Sequence, residues 1–501
     1  MTEEYVLAYD LGTSGVKGVV VSKQGEVLAS STADYPYRIP QPGWGEQDPE
    51  DYWQGVCCVT RQAIAESGIS PSQIGAIAFG TLWKGVIPVD SEGNALRSSI
   101  LWLDSRATEQ AKQLNEHFKT NRFVPTDYWS KLMWLWQNEP DLVEKATWIL
   151  EVNSYLKYRA TGVTAVDISN CFTRSFDPEL DAFDEAVLRY IGIGRDKFPE
   201  CVPATKQVGL LKEPAASQMG LIPGIRVFAG NTDIQGVTVG AGAAAIGGVH
   251  GYFGSSGWLG FTVPHDQTFR GAAFDAQRDV VMSGMKSVGL TMTWLAKTFY
   301  SHEFAELGDE VYQRMSLDAD QVPPGSDGVL ATGWIYGEYP PQAGMDAGAS
   351  FVGLKACHDR RNIVRAVMEG ICLHLKQRTL DTCRVKGVAF PQRIRAVGGG
   401  ACSDVWMQIL ADVFHATVEV PEAPRHAGAI GTAYSALIGM GICPDYETAG
   451  ERVRLLRCFE PNPKAVLTYE KLYSGYIQLY GALKPIMNIM NEARENNESD
   501  E

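Results

Sequence analysis

Asp10 closes a short apolar run and is followed by Gly12, Thr13, Ser14 and Gly15, with Lys17 opening the next run. Glycines in a turn let backbone N–H groups and hydroxyls approach a polyanion closely. A carboxylate belongs beside phosphate only when Mg²⁺ lies between them, directly or through water, which makes Asp10 a candidate metal residue. An ordinary capped turn uses the same residue types, so this turn alone leaves both readings open. Gly254, Ser255, Ser256 and Gly257 repeat the pattern without the acid, and two such turns facing each other would hold a triphosphate from both sides. No GxxxxGK[ST] or GxGxxG stands where it would count. A third cluster, Gly398-Gly399-Gly400-Ala401, follows an apolar run beginning at Ile394 and offers flat backbone on which a nucleoside stacks. Asp233, in AGNTDIQG, follows another apolar run, where a lone carboxylate is costly unless paired or used. As a general base it would take a hydroxyl proton, a role typically worth ~10²–10⁴ in rate; the alternative is a helix cap. Gln235 has the same two readings, a hydroxyl partner or a cap.

The elements that must position these residues alternate between strands and helices. Strands are expected at Val6–Asp10, Val16–Val21 and Val27–Thr32, as a meander. Asp48, Pro49 and Asp51 read as an N-cap, first-position proline and acidic first turn of a helix to Ser67. A buried strand ends at Gly80. Helices follow at Ser105–Phe118, Lys131–Gln137, Glu151–Thr161 and Phe183–Tyr190, then a strand GIRVFAG, an Ala/Gly-rich helix and the second glycine turn. Beyond it come helices near Leu290–Phe299, Asp359–Leu380 and Asp404–Phe414, and another over AIGTAYSALIGMG. The segments YDLGTSGVKGVVV and YFGSSGWLGFTV echo one another. The chain therefore reads as two α/β domains, 1–247 and 248–501, facing each other across a cleft.

Composition removes other classes. The 501 residues carry 44 Lys and Arg against 59 Asp and Glu, a net charge of −15. No basic run or stripe offers the footprint a nucleic acid needs, so no nucleic-acid partner is expected. Ten cysteines lack metal-ligand spacing and fit thiols of a reducing cytoplasm. The strongest membrane candidate, Gly236 to Val249, falls short of the ~20 residues a spanning helix needs, and no leader pattern opens the chain; a soluble, cytoplasmic protein is expected. The closing NEARENNESDE reads as a frayed acidic tail. The 51 glycines, in excess of the usual share, must serve turns and close backbone approaches.

Taken together, DLGTSGVK, EQDPEDYW, GNTDIQ, GSSG, GLKACHDRRNIVRAVMEG and GGGACSDVWMQILADV resemble the FGGY family of carbohydrate kinases over nearly the whole chain. The segment KLMWLWQN from Lys131 matches only the later part of an earlier family signature. The resemblance implies the two-domain actin/hexokinase-like, ribonuclease H-like ATPase fold with an interdomain cleft, and ATP with Mg²⁺ as cofactors. By resemblance Asp233 is the catalytic base, with Asp10 the second cleft carboxylate and both near the metal. Thr13, Ser14 and Lys17, with Gly12, are similar to the first phosphate loop, and Gly254, Ser255 and Ser256 to the second. Gly289 is similar to a nucleotide-side glycine. Gly399, Gly400 and Ala401 match the adenosine turn, with Ser403 beside it.

Length and WGEQDPEDYW look most like xylulokinases, which points to D-xylulose phosphorylated at a terminal hydroxyl. Yet GTLWKG stands where those enzymes carry GQMHG, and Asp233-Ile234 where they carry Asp-Asn. DIQ, GLTMTW and VPPGSDGV resemble autoinducer-2 kinases, whose arginine–glutamate pair is absent, Trp83 and Lys84 standing near that place. Trp83 would stack on a sugar face and Lys84 would pair with an acidic group, or both are structural. Another ketose, a polyol, a sugar acid or an autoinducer-2-like substrate stay open, as does an actin-like structural or sensor ATPase. Relatives of this kind commonly form homodimers.

Overall fold

A computed structural model describes residues 4–170, 185–265, 272–344 and 346–498. The chain divides into two compact units. The first comprises Met1–Ile246, Thr262–Val280 and His426–Val453, and the second Gly247–Phe261, Val281–Arg425 and Arg454–Glu501.

The first unit is built on a six-stranded sheet of β1 (Tyr5–Leu11), β2 (Gly15–Val21), β3 (Val27–Asp34), β4 (Ile74–Thr81), β5 (Gln207–Leu210) and β6 (Arg226–Thr232). Their order across the sheet is β5-β6-β4-β1-β2-β3. β1, β4 and β6 run parallel, while β2, β3 and β5 are antiparallel to their neighbours. Val6, Leu7, Ala8 and Tyr9 are buried, as expected of an interior strand covered on both faces. Helix Pro49–Ser67 covers one face. It starts where Asp48 accepts from Glu50 N and stops at Gly68, whose φ of 69° only glycine takes readily. The Tyr9 hydroxyl meets Thr60 Oγ1 at 2.6 Å, tying that helix to the sheet.

Helices Asp233–Gly240 and Ala427–Gly439 pack in this same unit at backbone contact. A Cβ on Gly431 would collide with the Gly236 carbonyl oxygen, and one on Gly240 with that of Ala427. Part of the glycine excess is therefore the condition for this crossing. The Ala/Gly-rich helix is shorter than its composition suggests. It ends at Gly240, Gly242 turns left-handed at φ 76°, and the Thr262 hydroxyl holds Ala243 O at 2.7 Å.

In the second unit, β7 (Val249–Phe253), β8 (Gly257–Pro264), β9 (Arg278–Met285), β10 (Arg393–Val397), β11 (Thr417–Pro421) and β12 (Leu455–Phe459) lie in the order β9-β8-β7-β10-β11-β12. β8 and β9 continue into first-unit residues at one end. β7 is antiparallel to β8 and parallel to β10, which is parallel to β11. The three-stranded meander and the parallel strand beside it, β3-β2-β1-β4 in the first sheet, recur here as β9-β8-β7-β10, so the sequence echo is an echo of topology. Helix Arg360–Lys386 opens with a capping box between Asp359 and Asn362 and runs six residues past the expected Leu380, to the left-handed Gly387. Inside, Glu369 is paired with Arg365 at 2.8 Å and accepts from Tyr469 Oη, Ser326 Oγ and Gly325 N.

Other boundaries move for local reasons. The helix expected from Ser105 starts at Thr108, because Ser105 N and Oγ are both drawn to Gly43 O. The helix expected from Lys131 starts three residues earlier, at Tyr128. Of the helix expected at Phe183–Tyr190, Phe183 and Asp184 lie outside the described residues and Glu185–Ile191 is helical. The acidic C-terminus is not frayed through Glu498: it prolongs helix Leu479–Glu498, with Asn491 Nδ2 donating to Asp346 O at 3.2 Å. Among the described residues no helix is long and apolar enough to cross a membrane.

Candidate active site

In the first unit the three parallel strands bring their carboxyl ends to one edge. Asp10 and Asn231 both register on Gly80, and Leu11 and Thr232 on Thr81. Leu82 N then donates to Leu11 O at 2.8 Å, so the loop after β4 leaves beside the glycine turn after β1. The carboxyl ends of parallel strands are where open α/β sheets bind ligands. Asp10, Asp233 and the Trp83–Lys84 loop all issue from that edge.

Asp233 is the first residue of its helix, not its cap. Thr232 caps, accepting from Gln235 N at 3.3 Å, and Thr232 N is held by Ser169 Oγ at 2.9 Å. The capping alternative for Asp233 thus falls to its neighbour. One Asp233 oxygen accepts from the adjacent Ile234 N at 2.9 Å. Burial, and then the negative charge of Asp10, push the Asp233 carboxyl up to about 7. Asp10 is itself raised by burial, with Lys17 opposing. A Cβ at Gly428 would lie 2.5 Å from Asp10 Oδ2, so glycine there lets the carboxylate sit against a helix backbone.

Two repelling carboxylates are a hard-oxygen donor set. Among the described residues no cluster of three or more His, Cys, Asp or Glu could cage a metal. Mg²⁺ does not need one, because it is commonly held by one or two carboxylates, water and phosphate oxygens. Asp10 and Asp233 fit that ion.

The first glycine turn is fastened from below. Gly12 N donates to Gly15 O at 2.9 Å, Tyr35 Oη to Gly12 O at 2.8 Å and Gln47 Nε2 to Thr13 O at 3.2 Å. Trp102 Nε1 donates to Thr13 Oγ1 at 2.9 Å. Ser14 is exposed and Lys17 half-buried. Gln235 is placed in the interior: it is 1% exposed, with Nε2 donating to Phe274 O at 2.8 Å. One of its amide donors is used there, while Gln235 Oε1 is buried with no hydrogen-bond partner among the described residues. Lys84 is not an isolated cation, being bound to Asp127 at 2.6 Å.

The second unit repeats the logic. Tyr252 on β7 registers on Val397 of β10, so the Gly254–Ser256 turn and the Gly398–Ala401 turn leave adjacent parallel strand ends. Gly398 adopts φ 93°, and a Cβ there would lie 2.6 Å from Phe253 O, which forces glycine where the two turns meet. Ser255 is exposed; Gly254 and Ser256 are half-buried. Gly289 N donates to Gly254 O at 2.8 Å, and Val288 N and Leu290 N to Ser255 O at 3.0 and 3.2 Å. Gly289 therefore braces the serine turn. Gly399 is exposed and a Cβ on it would meet nothing within 4 Å, an open backbone surface of the kind a nucleoside covers. Ala401 is wholly buried. Ser403 serves as the N-cap of helix Asp404–Phe414 and accepts from Ser316 Oγ at 2.9 Å, so its oxygen is fixed beside the turn.

Sequence reasoning overlooked Trp102, Asp127 and the interior role of Lys131. The available signal was a lysine immediately before LMWLW, an apolar setting a charge enters only for a reason. Comparison with known proteins bears on this geometry. The model of the N-terminal domain of the FGGY family of carbohydrate kinases matches residues 5–240, and that of its C-terminal domain residues 257–440. The chain is 27% identical to xylulose kinase of Bacillus subtilis (strain 168), covering 98% of this chain and 100% of that one. It is 26% identical to gluconokinase of Bacillus licheniformis, over 96% of each. The structure of ligand-bound xylulose kinase from Lactobacillus acidophilus superposes with a TM-score of 0.82 at 23% identity, covering 96% of this chain and 98% of that one.

Proposed function

Because this chain belongs to the FGGY family of carbohydrate kinases and is an ATP-dependent sugar phosphotransferase, we propose that it phosphorylates a ketose at a terminal primary hydroxyl, with D-xylulose the first candidate. The observation that carries the proposal is the Asp10–Asp233 pair at the carboxyl edge of β1, β4 and β6, with Asp233 held at about 7. A base poised near neutrality is matched to taking a hydroxyl proton at working pH. Asp233 accepts that proton as the hydroxyl oxygen bonds to the γ-phosphorus of ATP and the bond from that phosphorus to the β,γ-bridging oxygen breaks, releasing ADP. Mg²⁺, when bound by Asp10 and Asp233, would neutralise charge on the phosphates. Gly12, Thr13, Ser14 and Lys17 line the phosphate side of the first unit. Gly254, Ser255 and Ser256 supply the second phosphate turn, and Gly399 and Gly400 the nucleoside surface. Trp83 and Lys84 stand on the acceptor side.

The choice of D-xylulose is supported by the full-length likeness to xylulose kinases. The likeness to gluconokinase makes a sugar acid the competing acceptor. An actin-like structural or sensor role gives way to family membership. The test is coupled ADP release across ketoses, aldoses, polyols, sugar acids and autoinducer-2 precursor. D-Xylulose is expected to give the highest kcat/KM; a larger value for gluconate would replace it. Asp233→Asn should lower kcat by ~10²–10⁴ with ATP binding kept, and unchanged turnover would remove Asp233 from the base role.

A further inference from the structure

The loop after β4 contains a local oddity. Lys84 adopts φ 63°, a left-handed backbone that a non-glycine residue holds only when its surroundings enforce it. Lys131 provides the enforcement. Its side chain is wholly buried, and Nζ donates to Leu101 O at 2.6 Å and to Lys84 O at 3.2 Å. One buried amino group thus pins the loop bearing Trp83 and Lys84 to the loop bearing Trp102, which in turn holds Thr13 of the glycine turn.

The pinned loop presents Lys84 in one place. Its Nζ lies 2.6 Å from Asp127 Oδ1 and 4.7 Å from the centre of the Trp83 ring. The other Asp127 oxygen accepts from Val124 N at 3.1 Å, and Asp127 O accepts from Lys131 N at 3.1 Å. Both partners therefore hang from the Lys131 anchor. Their side chains keep 20% and 21% of their surface, buried enough to be ordered and open enough to be touched.

We propose that Lys84 and Asp127 act together as a specificity-determining pair that reads two neighbouring hydroxyls of an uncharged acceptor. The Asp127 carboxylate accepts a hydrogen bond from one hydroxyl, and the Lys84 ammonium donates to the oxygen of the next. A carboxylate or phosphate on the acceptor is disfavoured, because the lysine charge is already balanced and the incoming anion would meet Asp127. This assignment rests on the acceptor binding at the carboxyl edge of the first sheet, and it names the class of that acceptor as a neutral ketose or polyol rather than a sugar acid. The two residues lie 43 positions apart.

The test uses full-length protein with D-xylulose, xylitol and D-gluconate, read by coupled ADP release and by calorimetric sugar binding without nucleotide. In the wild type the neutral acceptors should outperform gluconate. Asp127→Asn leaves Lys84 unbalanced, so the neutral-to-acid ratio of kcat/KM should fall by about 10- to 100-fold, the worth of a charge-assisted hydrogen bond. Lys84→Met leaves Asp127 unbalanced and should move that ratio the other way. A merely structural pair would shift all acceptors together, so a ratio unmoved in both variants overturns the proposal, as does a wild-type preference for gluconate. If Asp127→Asn proves unfolded by near-ultraviolet circular dichroism, the direction of the Lys84→Met shift decides. If no acceptor binds or accelerates ADP release in the wild type, the kinase reading and this one fall together.

Discussion

Asp233→Asn should make the ligand-free protein more stable while removing its activity. The Asp233 carboxyl is held at about 7 against an ordinary 3.8, first by burial and then by Asp10. At 1.36 kcal/mol per pH unit this corresponds to about 4 kcal/mol disfavouring the ionised form in the folded protein. A carboxyl with a raised folded-state pKa binds its proton more tightly when folded. Its stabilisation is complete below about pH 4, declines as pH rises, and is gone above about 7, where folding must bury an anion beside another anion. Asparagine carries no such charge and can still accept from Ile234 N. Its advantage should therefore be negligible near pH 3, grow between about 4 and 7, and level off at up to about 4 kcal/mol. Thermal unfolding of wild type and variant in EDTA, without sugar or nucleotide, at pH 3.5, 6 and 8 measures this. A variant no more stable than wild type at pH 8, or a gain that does not vary with pH, would refute the electrostatic reasoning.

Three further outcomes follow from the structure. Asp10→Ala should weaken use of Mg·ATP, seen as a raised Mg²⁺ requirement in the ADP-release assay; intact turnover at limiting Mg²⁺ would dismiss the metal role. Gly431→Ala puts a methyl group into the Gly236 carbonyl and should cost about 1–3 kcal/mol by overpacking, read as a lower unfolding midpoint. Glu369→Ala leaves Arg365 as an unbalanced charge 5% exposed and should cost about 3–5 kcal/mol, measured by denaturant unfolding of ligand-free protein.

Strand ends and glycine turns were legible because they rest on local rules. An apolar run closed by Asp10 and a glycine turn has few ways to fold, and helix Pro49–Ser67 is bounded by its own cap and stop. Asp127 and Lys131 were not legible as site-shaping residues. Their meaning depends on Lys84 and Leu101, which reach them only through tertiary packing. Gln235 was half legible: its chemistry suits a hydroxyl, while its bond to Phe274 O arises only through tertiary packing. The edge strand β5 escaped because QVGL is too short and mixed to carry a period. The C-terminal helix escaped because acidic, polar composition was taken for lack of structure, although Asn, Glu, Ala and Arg propagate a helix already begun.

The first unit is not a contiguous stretch of chain. Its longest stretch ends at Ile246, yet Thr262–Val280 and helix Ala427–Gly439, against which Asp10 rests, belong to it. On a ribosome adding ~5–20 residues per second, that helix emerges roughly 10–40 s after Ile246. Throughout that interval the nascent first unit lacks the partner of its glycine-faced helix Asp233–Gly240. A gene truncated after codon 247 would encode the same unfinished body permanently, one whose yield should depend on chaperone capacity and should recover only when residues 262–280 and 426–453 are both supplied.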